Sequence, residues 1–446
     1  MFAENGKISK RQLEAILLLD LLGSAVLFLP RELAEESGRA AWLWVLLYGG
    51  GFTVSAWLMG SLGEKRGGTA AEWFREGFGT AAGNLLLLGL GLKLLLDGAL
   101  ELRIFGETLR MVMLPETPVW VLSLMLLLTA AALAVQGAEC RGRMAEIAFL
   151  IVFLPLGVLL GVILVSTHYR RLLPLRTVSV AEGFPLFPLF GVLFQGLTLL
   201  YFIFPFLKKR KGLGRAAAKS CLFFTGLVTL IVLLSLAVFG ESLSGKTLPA
   251  LQMLEHLSFR GVFLIRQDVL RLWFFTASVT MYLSGVLCGG SFLGRVFVKR
   301  GGRKHLLCWI AALFLLSCIP RDAADAMAVR QGLSVWLNGL YLVLLPWVLY
   351  LRQKVREKRV IKKECFCVCR AVWSFFQPAG TEKTPRTESI SLPLAWIRRK
   401  MGIPSPLPPQ TWERGRERLT ERIPSALQRR RRKQTVSAPA KRIWDS

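Results

Sequence analysis

Long apolar segments constrain this chain more than any other feature of its sequence. A helix needs about 20 apolar residues to cross a bilayer core, and ten windows of that kind are bounded by charges or by Pro and Gly. They run approximately over 11–30, 41–62, 83–109, 118–136, 145–166, 185–207, 217–240, 268–294, 304–319 and 332–351, here named spans 1 to 10. With 53% hydrophobic and only 19% charged residues, the chain is predicted to be an all-α polytopic membrane protein.

The basic residues predict how these spans are oriented. Lys and Arg outnumber Asp and Glu by 57 to 29. Placing the N-terminus in the cytoplasm puts most basic loop residues, with Arg141 and Arg143 among them, on the cytoplasmic side. Because basic loops favour that side and the number of spans is even, both termini are predicted to be cytoplasmic. An excess of basic charge on so apolar a chain fits contact with membrane lipid better than a nucleic-acid partner.

The two ends of the chain differ. Span 1 follows only a short basic segment and has no small-residue cleavage site, so it is predicted to stay in the mature protein. Residues 1–363 form the predicted ten-span domain, whereas 364–446 are rich in Pro and Arg and contain the basic block Arg429 to Lys433. This tail lacks the periodic apolar residues of a core and is predicted to be disordered, either solvated or in contact with anionic lipid.

Small residues and prolines interrupt span 1 and span 6. Inside hydrocarbon, unpaired backbone groups are tolerated where they line a cavity, and broken helices mark the solute sites of many transporters. Two breaks five spans apart predict two inverted five-helix repeats of the LeuT-like type, with a ligand site near the midplane. The alternative is that the small residues only allow close helix packing. The predicted ligand-binding residues are Gly23, Ser24 and Ala25 in span 1 and Phe194, Gln195, Gly196 and Thr198 in span 6.

Ionisable residues in span 3 and hydroxyls in span 8 extend the candidate site. Lys93, Asp97 and Glu101 follow at four-residue steps, which places them on one face of a helix. Because charges in hydrocarbon are costly, this stripe is either a solute pathway with a proton or charge relay, or an internal salt bridge. Tyr282 and Ser284 are candidate ligand contacts, with packing between helices as the alternative.

Motifs of nucleotide-driven and hydrolytic chemistry are absent from the sequence. It contains no Gly-x-x-x-x-Gly-Lys-Ser/Thr phosphate loop, no Gly-x-Ser-x-Gly and no His-Glu-x-x-His. The three histidines are isolated, and the Cys-x-Cys-x-Cys run from Cys365 to Cys369 is poorly spaced for a tetrahedral metal site. The sequence therefore predicts a protein that is not an enzyme and uses no metal or other cofactor.

Five runs of sequence carry a resemblance to a known family. They are Lys7 to Leu13, Gly23 to Pro30, Ala34 to Trp42, Leu114 to Pro118 and Phe204 to Lys209. Together they resemble endospore germination permeases, the GerAB-type B subunits of nutrient germinant receptors, over about residues 7–355. One departure is that span 6 has Gln195-Gly196, with no carboxylate at the place where that family often has one.

The resemblance implies an amino acid/polyamine/organocation transporter fold in the inner membrane of a dormant spore, with an A subunit and a lipoprotein C subunit as partners. The implied ligand is a small nutrient: an amino acid, a nucleoside or a sugar-like molecule. The predicted function is therefore a membrane subunit of a germinant receptor that binds such a nutrient, in the first place an amino acid, between broken spans 1 and 6. A proton-coupled amino acid transporter of the same fold is the alternative.

Overall fold

The computed structural model describes residues 6–23, 25–66, 68–167, 180–255, 267–298 and 302–356, and these form an all-α membrane protein. Its α-helices in this part are α1 Lys10–Leu21, α2 Ala25–Ser37, α3 Ala41–Arg66, α4 Ala70–Phe78, α5 Thr80–Val112, α6 Val119–Val135, α7 Gly137–Ser166, α8 Phe187–Leu193, α9 Leu200–Ile203, α10 Leu213–Phe239, α11 Pro249–Glu255, α12 Gln267–Phe297, α13 Gly302–Ser317 and α14 Ala323–Asn338. A π-helix, Gly339–Leu344, follows α14. The described residues contain no strand, only an isolated parallel bridge between Ile8 and Leu207.

Several of these helices are built to cross a membrane. Five helical segments in the described part are long and apolar enough: Ala25–Arg66, Gly137–Val165, Leu213–Phe239, Trp273–Phe297 and Ala323–Arg356. The first combines α2 and α3, and the last combines α14 with the π-helix and the helical residues after it. The pair Gly183–Leu193 and Gln195–Phe206, bent by 52°, gives a sixth if it is one broken span, and Val119–Val135 and Lys304–Ser317 are shorter apolar helices. The predicted all-α polytopic membrane fold is confirmed, whereas the number of ten spans and the two inverted repeats stay predictions. The predicted tail lies outside the described residues.

The helices of spans 1 and 6 are interrupted at the two places where the sequence has small residues. α1 ends at Leu21 and α2 begins at Ala25, with Gly23 between them. α8 ends at Leu193, and a 3-10 segment, Gln195–Leu199, leads into α9. The breaks face each other, because the Cα of Gly196 lies against the backbone of Asp20 near the end of α1. The absence of a side chain at Gly196 allows this contact.

The helices that correspond to spans 5 and 10 begin earlier than the apolar windows predicted. α7 begins at Gly137 rather than near 145, and α14 begins at Ala323 rather than near 332. The windows were ended at charges, but Arg141 and Arg330 are buried, only 4% and 2% exposed, against carboxylates of other helices. The prediction that Arg141 and Arg143 lie in a loop is therefore wrong, because both belong to α7, whereas the orientation of the spans stays a prediction.

Glycines also allow α3 and α10 to cross closely. A Cβ on Gly60 would lie 2.7 Å from both the Cα of Gly214 and the carbonyl oxygen of Leu213. On the same helix, a Cβ on Gly50 would meet nothing within 4 Å. The two positions therefore differ in packing while sharing a helical backbone.

We expect Gly60→Ala to destabilise the protein and Gly50→Ala to leave it unchanged or slightly more stable. The first adds a methyl group against rigid backbone, at a cost of about 1–3 kcal/mol. The second removes the helix penalty of glycine without a new contact. Thermal unfolding of the two purified variants in the same detergent gives the comparison. Equal changes in Tm would contradict the close crossing.

Candidate functional site

Six ionisable side chains are buried in pairs around the two breaks. Each of them is at most 6% exposed. The pairs are Asp20 with Arg141, Lys93 with Asp97 and Glu101 with Arg330. We call these six residues the ion-pair core. Three cations face three anions, so the core carries no net charge, which limits the cost of burying charge in hydrocarbon.

The pair of Glu101 and Arg330 lies where the two breaks meet. Arg330 Nη2 bonds to Glu101 Oε2, and its Nε donates to Gln195 Oε1 at 3.2 Å. Gln195 Nε2 lies 3.5 Å from the same carboxylate, at the limit of a hydrogen bond. The other carboxylate oxygen of Glu101 would lie 3.0 Å from a Cβ on Gly23. Three predicted site residues, Gly23, Glu101 and Gln195, therefore come together around Arg330.

Arg330 belongs to this candidate site and was not predicted from the sequence. It lies on one face of α14 with Ser334 and Asn338, at four-residue steps. Ser334 Oγ donates to the Pro188 carbonyl at 2.8 Å, and Asn338 Nδ2 donates to Ser334 Oγ at 2.8 Å, so this face packs on α8. The four-residue spacing of polar residues was the signal that could have found Arg330.

Arg141 forms a second cluster, which joins α1, α7 and α12. Its Nη2 lies 2.5 Å from Asp20 Oδ1 and 3.1 Å from the Met281 carbonyl oxygen, while its Nε donates to Ser284 Oγ at 3.1 Å. The structure therefore places the predicted ligand contact Ser284 against Arg141. We call these three contacts the Arg141 bridge.

The charged stripe of α5 divides between two partners. Lys93 pairs with Asp97 one turn along the same helix, whereas Glu101, one turn further, bonds to Arg330 of α14. Tyr282, the other predicted ligand contact of α12, is also buried. An internal salt bridge is thus present in the stripe, and a proton relay through it stays a prediction.

The remaining predicted site residues pack around these clusters. The Phe194 ring stacks on Phe52 of α3, with ring centroids 4.7 Å apart. Ala25 and Thr198 are buried, and Thr198 Oγ1 has no hydrogen-bond partner among the described residues. Ser24 lies outside the described residues. Phe194 is therefore placed in aromatic packing, and Thr198 keeps a free hydroxyl.

The candidate site is closed in this structure, because the ion-pair core and Tyr282 are all buried. An open pocket of about 520 Å³ lies elsewhere and is lined by Arg103, Arg110, residues 115–120 and Cys318. The described residues hold no group of three His, Cys, Asp or Glu side chains that could bind a metal ion. A ligand at the two breaks would have to separate side chains that now contact each other.

Known proteins match most of this chain. The model of the spore germination protein family matches residues 7–326, nearly three quarters of the sequence. The chain belongs to the spore germination protein family. Both breaks and five residues of the ion-pair core lie within the match, and Arg330 follows four residues after its end. Membership confirms the resemblance seen in the sequence.

Individual members of the family are distant in sequence, but the alignments with this chain cover nearly the whole length of each relative. Spore germination protein YndE of Bacillus subtilis (strain 168) is 25% identical over 353 residues, which is 75% of this chain and 93% of YndE. Spore germination protein B2 of the same strain is 25% identical over 352 residues, 76% of this chain and 93% of its own. Spore germination protein KB, also of that strain, is 25% identical over 377 residues, which is 80% of this chain and 98% of protein KB. Each of these relatives therefore matches about three quarters or more of this chain.

Proposed function

We propose that this protein is the membrane subunit of a spore germinant receptor, which binds an amino acid between broken spans 1 and 6 and triggers germination. The observation that supports this most is the buried cluster of Glu101, Arg330 and Gln195 at the point where the breaks meet. A polar, charge-balanced cluster in the middle of an apolar chain is typical of a solute site.

A zwitterionic amino acid fits this cluster by charge. The Arg330 guanidinium can donate to a carboxylate, and the Glu101 carboxylate can accept from an ammonium group. Such a ligand exchanges partners with the existing pair and adds no net charge. A ligand with a net charge leaves one buried charge unpaired, at a cost of several kcal/mol. Glu101, on span 3, supplies the acid that span 6 lacks at Gln195.

Binding changes contacts between three parts of the molecule. Glu101 lies on α5, Arg330 on α14 and Gln195 at the break of span 6, so a ligand between them alters how these parts pack. In the proposed receptor this change is passed to an A subunit and a lipoprotein C subunit. The same proposal includes ten spans in two inverted repeats, both termini in the cytoplasm and a location in the spore inner membrane.

A proton-coupled amino acid transporter of the same fold is the second candidate. The observation that favours it is the buried Lys93–Asp97 pair next to the site, because buried ionisable groups in transporters often carry protons. The two candidates share a binding site and differ in the consequence of binding: a signal to partner subunits, or release of the solute on the other side.

We expect spores that lack this gene to lose dipicolinic acid release in response to one amino acid, while labelled uptake of that amino acid by growing cells stays normal. Release across a nutrient panel and uptake in the same strain are the two measurements, with the reintroduced gene as the control. Normal release together with lost uptake would contradict the receptor and favour the transporter.

A further inference from the structure

The two halves of broken span 1 make their side-chain hydrogen bonds to different helices, although both also pack on α10. α1 is held by the Arg141 bridge to α7 and α12. α2 is held to α14, because Gln331 Nε2 donates to Glu32 Oε2 at 2.6 Å. The helix is interrupted between Leu21 and Ala25, so the two halves are separate helices.

The residues just before α1 make further hydrogen bonds to other parts of the molecule. Ile8 N–H donates to the Phe206 carbonyl at 2.7 Å, and Lys208 N–H donates to the Ile8 carbonyl at 3.0 Å. Gly6 N–H donates to Glu139 Oε2, at the beginning of α7, at 2.8 Å. We call residues 6–9 the N-terminal strap. It joins α1 to the end of span 6 and to the same helix that carries Arg141.

Separating α1 from α7 and α12 is costly because of the chemistry of Arg141. A guanidinium stays protonated in proteins, so the bridge cannot be released by proton loss. Withdrawing α1 would leave a buried cation and the Asp20 carboxylate without each other, and breaking a buried pair is strongly destabilising. The contact of α2 with α14 is a hydrogen bond between an amide and a carboxylate that are only partly buried. The two halves therefore differ in their polar attachments, a buried ion pair for α1 and a partly buried hydrogen bond for α2, while both bury apolar side chains.

We propose that the Arg141 bridge keeps the site closed on the side of the N-terminal strap, so that the site opens only on the side of α2 and α14. This inference rests on the proposed function and deepens it. A ligand that enters and leaves on one side of the membrane produces a signal without net transport. Arg141 is then a positioning residue, which acts through Asp20 and α1 and does not touch the ligand.

Cysteine accessibility tests the bridge directly. Leu199 is fully buried. It lies close to the bridge, since a Cβ on Gly285 would contact both Leu199 and the Arg141 guanidinium. The probe is Leu199→Cys in the full chain with its eight native cysteines changed to Ser, purified in detergent and treated with a water-soluble maleimide. The variant Asp20→Asn with Arg141→Gln removes the bridge without leaving a charge. Arg110→Gln is the control, since Arg110 pairs with Glu107 of its own helix and belongs neither to the Arg141 bridge nor to the N-terminal strap.

We expect the double variant to be labelled at least about tenfold faster than the control. A tenfold change corresponds to a free energy of opening that is lower by about 1.4 kcal/mol. Labelling at the control rate would overturn the proposal. Arg141→Lys keeps the charge but loses the fork of donors, so an intermediate rate is expected. If the double variant does not fold, a wild-type rate in Arg141→Lys overturns the proposal by itself.

A ligand arm tests the one-sided opening. Adding a mixture of the standard amino acids without cysteine, whose thiol reacts with maleimide, to the Leu199→Cys protein should leave its labelling rate unchanged, because α1 stays in place. A faster rate would show that the strap side opens with ligand and would overturn the inference. The comparison without ligand does not depend on amino acid binding, so it tests the Arg141 bridge even if the proposed function fails, and that failure would be seen in the germination and uptake measurements.

Discussion

Replacing Arg330 with Met is expected to abolish the germination response and to destabilise the protein by about 3–5 kcal/mol. The substitution removes the guanidinium but leaves Glu101 buried and charged. It also removes the donor that we assign to the carboxylate of the ligand. Dipicolinic acid release by spores carrying the variant measures the response, and thermal unfolding of the purified protein measures the stability.

The double variant Glu101→Leu with Arg330→Met separates the two effects. Because both charges are replaced by apolar side chains of similar size, most of the lost stability should return. The germination response should stay lost, since neither end of a zwitterion finds a partner. A double variant that germinates at the wild-type nutrient concentration would mean that the pair is structural and that the ligand binds elsewhere.

The parts of this site that could be predicted from the sequence are those with a local cause. Gly23 and the residues around Gln195 interrupt apolar windows, and each helix break lies at or beside a glycine, Gly23 or Gly196. Glu101 was found because a charge within an apolar window is unusual. Each of these signals lies within a single helix, so no knowledge of its neighbours was needed.

The partners of those residues could not be predicted in the same way. Asp20 and Arg141 are 121 residues apart, and Glu101 and Arg330 are 229 residues apart. Which helices pack together decides such pairs, and the periodicity of one helix does not contain that information. Ending each window at a charge also assumed that charges lie outside the membrane, which fails when a guanidinium is neutralised by a carboxylate of another helix.

Gly196→Ala is expected to be the most destabilising glycine substitution near the site, at about 3 kcal/mol or more. The added Cβ would overlap the carbonyl oxygen of Asp20 and lie 2.7 Å from its carbonyl carbon. These are backbone atoms of a helix that the Arg141 bridge holds in place, so they cannot move away cheaply. Thermal unfolding is the measurement, with Gly226→Ala as the control because a Cβ there meets nothing within 4 Å.

Gly23→Ala is expected to act on ligand response instead of on folding. Its Cβ would approach Glu101 Oε1 at 3.0 Å, and that atom is the end of a flexible side chain, which can move by a few tenths of an ångström. Stability should change by less than about 1 kcal/mol, while the displaced carboxylate raises the nutrient concentration needed for germination. The two variants therefore separate the roles of the breaks: contact with α1 holds the break of span 6, and the break of span 1 leaves room for Glu101. A Gly196→Ala protein with the Tm of the Gly226→Ala control would contradict the first role, and an unchanged nutrient threshold in Gly23→Ala would contradict the second.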